Sequence, residues 1–432
     1  MVLRGGRIAG VDGTGRHPAG RAPEPRDVAI GFDGRIARIA PAVKDTGADE
    51  WDLAGRLILP GLVDIHQHLD KTRTVRQVAN PAGTLQGAVQ GFQAYARQAT
   101  HDDIMTRARQ TVEACLSRGT VAIRTHANVD LDWGLRAVEA LVELRERLRD
   151  RIRLEVVAFI TSSGLQIPVD DAARLMAQAL DAGADVVGGA PALAAQPLAT
   201  IDMLFDLAVR RSRRLDLHVD ESLDSEDRLL AHVALCAKRF GMAGRVVVGH
   251  CCSLSAMPPA MAAPLVEAVA EAGIGVVTLP ASNLFLQGRG APRLPPRGLT
   301  RVSDLLAAGV EVACAWDNIQ DPFNPTGTGD LLEVCRWLFL AAHLPWDAAS
   351  SLYAMAATVP AALMGLGDEF GVREGAWADL LILDAVDPTD AIMSGPLERT
   401  VLFHGRHLSG PAHRATAAAD GAPAVARRTG PP

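Results

Sequence analysis

In Val63-Asp64-Ile65-His66-Gln67-His68, two histidines two residues apart close an apolar run, and a β-strand there would project both imidazoles to one side. One divalent cation could take both. Three further runs end in the same way. Leu215-Asp216-Leu217-His218-Val219-Asp220-Glu221 delivers an imidazole and, three residues on, a carboxylate; Val248-Gly249-His250 delivers another imidazole, and Cys314-Ala315-Trp316-Asp317 a carboxylate. Any one of these residues could be a hydrogen-bonded core group, and a lone His-x-His is a weak signal. As a set at strand ends they are costly to bury unless they coordinate or pair. Nitrogen and carboxylate donors without a thiolate suit zinc and equally admit iron(II) or manganese(II). Three histidines and one aspartate would leave a position for a water, acidified toward neutral pH into a hydroxide nucleophile. The chemistry indicated is metal-assisted hydrolysis.

The elements that must position these groups follow a regular rhythm. Apolar runs of strand length at 62–68, 120–126, 153–160, 185–190, 214–219, 245–251, 274–279 and 311–317 alternate with helical stretches such as 172–182 and 302–308. Several of the helical stretches end at a glycine, among them Gly119, Gly183, Gly273 and Gly309. Eight such units predict an α/β fold, a (β/α)8 TIM-like barrel over residues 61–370. The candidate ligands then lie at the C-terminal ends of its strands, the face that carries active sites in barrels. Short β-type runs at 27–31, 35–39 and 56–59, and again at 378–384 and 400–403, predict a small β-sandwich built from both termini, residues 1–60 and 371–410. Pro388 and Gly395 read as breaks between the later runs. Residues 411–432 are Ala, Gly, Pro and Arg in low-complexity order and read as a disordered tail.

Composition excludes several partners. The 432 residues carry a formal net charge of -7, with 48% hydrophobic and 22% charged residues, an ordinary globular balance. The one basic run, Arg210, Arg211, Arg213 and Arg214, reads as a solvated connection, so neither nucleic acid nor an anionic membrane is expected as partner. The first residues lack an apolar signal core, and no apolar run reaches the roughly 18 residues that span a bilayer. The six cysteines, at 115, 236, 251, 252, 314 and 335, form no CxxC pair and are expected as reduced, buried thiols of a cytoplasmic protein. The Thr326-Gly327-Thr328-Gly329 stretch has no Lys-Ser/Thr after it and does not read as a phosphate loop.

At HLDKT beside the His-x-His, RTHANV, DLHVDES, VVVGHCC, LFLQGR and WDNIQDPFNPTGTGD, the chain resembles the cytosine deaminase group of the amidohydrolase superfamily, and it is similar to the isopropylammelide hydrolases. The resemblance runs in order through nearly the whole barrel. It implies that His66, His68, His218 and Asp317 are ligands of one divalent metal ion per chain, zinc before iron or manganese. It implies that Glu221 shuttles a proton from the attacking water to a ring nitrogen of the substrate. His250 would orient the hydroxide, and Asp317 would also relay a proton to the leaving ammonia or amine. A homo-oligomer is usual for the group.

The departures from the group lie in the substrate pocket. Where cytosine deaminase carries Phe-Pro-Gln, with the glutamine gripping the pyrimidine edge, this chain has Phe159-Ile160-Thr161-Ser162-Ser163. Its His-Asp-Asp is Trp316-Asp317-Asn318 here, and a downstream tryptophan is Phe323. A neutral Asn318 can donate as well as accept, so cytosine is not the expected substrate. Thr161, Ser162, Gln287, Asn318 and Phe323 are the expected substrate contacts. The leading expectation is an aminohydrolase that removes ammonia or an alkylamine from a small ring with an amidine or guanidine-like carbon. Hydrolysis of an amide or cyclic amide by the same water is the alternative, and a non-catalytic binding barrel the remote one.

Overall fold

The computed structural model describes residues 1–9, 24–44, 47–289, 291 and 297–413. Most of the expected tail, residues 414–432, lies outside the described residues.

Eight parallel strands form the centre of the molecule: Leu62–Gln67, Thr120–Val129, Arg153–Ile160, Val186–Gly189, Leu215–Val219, Val246–His250, Gly275–Thr278 and Val312–Cys314, each paired with the next in chain order. All eight runs expected from the sequence are strands. Leu62–Gln67, Leu215–Val219 and Val246–His250 are buried along their whole length, as befits strands with helices outside and packed side chains within. Helices return the chain between them. His101–Ser117 and Val169–Asp181 give way to Gly119 and Gly183 at φ +106° and +109°, backbone that a side chain would strain.

The parallel sheet is all but closed into a barrel. Between the eighth strand and the first, the ladder shrinks to a parallel bridge at Gln67 and Asp317. There His68 N–H donates to the Asp317 carbonyl at 3.0 Å, and Asp317 N–H donates to the His66 carbonyl at 2.8 Å. The seam is therefore made by candidate ligands, which locks their backbones to one another.

A second, mixed sheet unites the termini. Val2–Ile8, Pro25–Ile30, Ile36–Ala40, Glu50–Asp52 and Leu57–Pro60 join Leu380–Leu383, Arg399–Phe403 and Arg406–Ser409, with Leu59 set opposite Leu381 in the antiparallel pair between the two ends of the chain. Alternation splits the sheet's faces. Leu57, Leu59, Leu381 and Leu383 pack on the barrel core, while Ile58, Leu380 and Ile382 enclose a second core with Leu3, Val28, Ile36 and Trp51. Pro388, expected as a break, instead opens the helix Pro388–Ser394. Asp387 caps that helix by accepting from Asp390 N–H at 2.8 Å, and Gly395 ends it in a left-handed turn.

Candidate active site

The first, fifth and eighth strand ends converge. His66 and His68 face Asp317 Oδ1 through Nε2 at 3.5 and 3.2 Å, and the His218 ring lies 4.6 Å from His66 and 5.1 Å from His68 between centroids. Asp317 and His250 hold left-handed backbones, at φ +65° and +70°. Such conformations cost about 1–3 kcal/mol for a residue with a side chain and persist where the surroundings over-determine them. Here they turn two strand ends inward.

These residues fit a cation. Both ring nitrogens of His66, Nε2 of His218 and Oδ1 of Asp317 are buried without a hydrogen-bond partner, an arrangement that costs free energy unless something accepts their lone pairs. Burial, reinforced for His68 by Lys71 and for His218 by His66, holds both imidazoles well below the usual histidine range. Burial opposes ionisation of Asp317, yet His66 and His68 keep its carboxyl well below the usual range. Neutral imidazoles beside an ionised carboxylate are what a divalent metal needs.

His126 joins the same cluster, its ring 4.1 Å from that of His66, but its nitrogens are engaged. Nδ1 faces the Gln67 carbonyl at 3.3 Å and Nε2 faces Asp216 at 3.2 Å. Asp216 also takes Arg124 at 2.8 Å, and Arg124 reaches Glu155 at 2.6 Å. This buried network is a charged floor beneath the candidate metal position.

Gly249 on the sixth strand leaves room for His66. A Cβ there would lie 2.7 Å from His66 Cε1. Gly249→Ala is therefore expected to displace the His66 ring and weaken metal affinity by about 10- to 100-fold, the usual cost of disturbing a ligand's support. Competition with a chromophoric chelator, alongside an unchanged circular dichroism spectrum, measures it.

Glu221 and His250 complete the site. His250 Nδ1 lies 3.6 Å from Glu221 Oε1 and 3.1 Å from the Asn283 amide nitrogen, and its Nε2 lies 3.1 Å from His218 Nδ1. Burial pushes His250 down to about 3. Burial, with the Asp317 charge nearby, raises Glu221 well above the usual carboxyl range. Asp220 fixes the loop by accepting from Leu229 and Leu230 N–H at 3.0 and 3.1 Å.

A cavity of about 240 Å³ opens over these groups. His68, His218, Glu221, His250 and Asp317 line it, as do Thr161, Ser162, Asn318 and Phe323 among the expected substrate contacts. Gln287 does not line it; its amide donates to the Glu221 carbonyl at 3.1 Å and braces that loop. Ser163 accepts from Leu131 N–H at 3.0 Å and is likewise a loop brace. Sequence reasoning gave no role to Lys71, Asn128 or Phe92, which also line the cavity. Lys71 stands three residues after His68, so the strand-end logic that found His68 could have reached it. Phe92 sits within the helix Leu85–Ala96, where its apolar spacing reads only as core. The six cysteines are free and buried, as expected.

A hydrolase site of this kind, at the strand ends of a nearly closed parallel barrel, defines a class, and the family comparison agrees. A model of the amidohydrolase family matches residues 49–173 and 106–406, and the chain belongs to that family. It is 34% identical over 382 residues to a pterin deaminase of Rhizobium rhizogenes, covering 87% of this chain and 86% of that protein. It is 29% identical to an N-isopropylammelide isopropyl amidohydrolase of Pseudomonas sp. strain ADP, covering 88% and 92%. Among solved structures, a 5-methylcytosine deaminase of Klebsiella pneumoniae, liganded with 5-fluorocytosine, superposes with a TM-score of 0.87 at 30% identity, covering 95% and 98%.

Proposed function

We propose that this protein is a metal-dependent aminohydrolase that removes ammonia or an amine from a small nitrogen heterocycle. The observation that carries the reading is Glu221, a carboxyl with raised proton affinity, lining the same cavity as His218 and Asp317, whose Nε2 and Oδ1 are buried without partners. Hydrolysis at a C=N carbon needs a group that gives a proton to the ring nitrogen while water adds. His66, His68, His218 and Asp317 would hold the ion, which would supply Lewis acidity and lower the pKa of a water. The remaining work falls to the chain. His250, braced by Asn283, orients the attacking water through its ring; Glu221 takes a proton from that water and passes it to the ring nitrogen. Asp317 relays the next proton to the departing amine. Phe159 and Phe323 wall the cavity with aromatic faces suited to a flat ring.

Zinc, one ion per chain, is the metal of this reading, with iron(II) and manganese(II) as the alternatives that metal analysis distinguishes. Residues 61–370 are its barrel domain, and 1–60 with 371–410 form a support that curls into a sandwich. The buried free thiols suit a reducing, cytoplasmic setting, and a homo-oligomer belongs to the same proposal, testable by light scattering. No described helix is long and apolar enough to cross a membrane.

The test is ammonia release from aminated pyrimidines, triazines, pterins and creatinine-like rings by the metal-replete protein. Release without ring opening is expected, with cytosine far below the best substrate because the glutamine grip is absent. Ring opening without ammonia would sink the reading in favour of cyclic-amide hydrolysis.

A further inference from the structure

The walls of the cavity also hold a donor and an acceptor whose orientations are fixed from behind. Lys71 is the donor, the one lysine or arginine among the described residues that line the cavity. Its ammonium has three neighbours: Asn128 Oδ1 at 2.7 Å, His68 Nδ1 at 2.8 Å and Asp70 Oδ1 at 3.4 Å. Phe92, Phe159 and Phe323 surround it, with ring centroids at 5.6, 5.8 and 5.9 Å. Aromatic faces stabilise a cation but satisfy none of its hydrogen bonds. Asn128 and His68 take two of the ammonium protons at short range, whereas the Asp70 oxygens, at 3.4 and 3.5 Å, hold the third only loosely and leave it available to the cavity.

Asn318 is the acceptor. Its Nδ2 donates to Asp321 Oδ2 at 2.7 Å, while Asp321 Oδ1 accepts from Phe323 and Asn324 N–H at 2.9 and 3.1 Å. With the amide nitrogen committed to Asp321, Oδ1 is the atom Asn318 has left for a ligand. The sequence left Asn318 free to donate or accept; Asp321 decides it.

Resting on the deaminase reading above, we propose that the substrate presents a lactam edge, a ring N–H beside a C=O, with the oxygen taken by Lys71 and the N–H by Asn318 Oδ1, which Asp321 holds in that orientation. A ring lacking either group would leave a buried donor or acceptor unmatched, a penalty that separates ligands strongly.

The test compares binding of 4(3H)-pyrimidinone, which carries the lactam edge and no amino group, with binding of pyrimidine, by ligand-observed NMR on the metal-replete protein. Measurements are made at pH 8, where Asp321 is ionised, since burial pushes its carboxyl up to about 7. The wild-type protein should prefer the pyrimidinone by about 10- to 100-fold, the worth of charged and neutral hydrogen bonds in a dry site. Lys71→Met and Asp321→Asn should each erase most of that preference while leaving pyrimidine affinity and metal content unchanged. In Asp321→Asn the new amide keeps its oxygen on the two backbone N–H groups and turns its nitrogen to Asn318, which must flip and show a donor. Lys71→Arg, still a cationic donor, should retain part of the preference. If Lys71→Met sheds its metal, the Asp321→Asn and Lys71→Arg arms decide. An undiminished preference in both the Lys71→Met and the Asp321→Asn variants, or none in the wild type, overturns the proposal. Because 4(3H)-pyrimidinone has no amine to lose, the two readings fail separately. A lactam preference without ammonia release from any ring sinks deamination alone, and ammonia release without a lactam preference sinks this inference alone.

Discussion

His66→Ala is expected to purify folded, with little or no bound metal, and with kcat/KM lowered by at least ~10³ on whatever ring the wild-type protein deaminates, since Lewis acid and water activation supply several kcal/mol of barrier lowering. His66 is completely buried, and both of its nitrogens lack partners. Truncation therefore removes a cluster member without stranding a hydrogen-bonded neighbour, which limits the cost to the fold. Its backbone carbonyl, which accepts from Asp317 N–H at 2.8 Å, is untouched, so the seam of the barrel survives. Elemental analysis of the wild-type protein should give one ion per chain. Two tightly held ions, or undiminished metal in His66→Ala, would sink the assignment of His66, His68, His218 and Asp317 as a mononuclear set. His126 is the residue such a result would implicate next, but its nitrogens already face Gln67 and Asp216.

Much of this site was legible in the sequence because barrel strands are simple objects. Each is buried on both faces, so it appears as an unbroken apolar run, and a polar residue at its end stands out against it. Val246–His250 ends His250 in that way, and Val312–Cys314 precedes Asp317. The terminal sheet was only partly legible for the opposite reason. Val2–Ile8 carries Arg4, Gly5 and Gly6 in its middle, and it is a strand because Pro25–Ile30, Glu50–Asp52 and Leu57–Pro60 all pair with it. Its neighbours, not its own composition, impose the conformation. Glu50–Asp52 is too short to show an alternation, and Arg406–Ser409 pairs at an exposed edge through polar residues.

Side-chain direction was the other gap. Gln287 and Asn318 are both amides close to the site in sequence, and residue type alone gave them equal standing as substrate contacts. The helix Pro280–Leu286 ends so that Gln287 braces the Glu221 carbonyl, whereas Asn318, one residue past the left-handed Asp317, lines the cavity with its nitrogen tied to Asp321. Lys71 lies in a motif the sequence comparison had already marked, yet its place depends on Asn128, from the second strand, and on three phenylalanines from separate elements. No local pattern encodes such a meeting.

Glu221→Gln should keep the metal and the fold but lower turnover by at least ~10², the usual contribution of a positioned acid or base. Glutamine preserves the shape of the side chain, whose Oε1 lies 3.6 Å from His250 Nδ1 in the wild-type protein, while removing the carboxyl group that carries the proton. Glu221 is not one of the four residues proposed to hold the ion, so metal content should match that of the wild-type protein, and this separates the variant from His66→Ala. The loss should fall on kcat rather than on binding, because the proton is needed as the tetrahedral carbon forms and not when the ring docks. Product rings and inert analogues should therefore bind the variant with nearly wild-type affinity. Burial and the Asp317 charge both raise the proton affinity of Glu221, which makes its carboxylate a stronger acceptor for the proton of the water that it then passes to the ring nitrogen. A Glu221→Gln enzyme that turns over at the wild-type rate would reduce Glu221 to a wall of the cavity. Chemistry at a carbonyl, where no ring nitrogen must be protonated, would then be the better account of a site built on the same four candidate ligands.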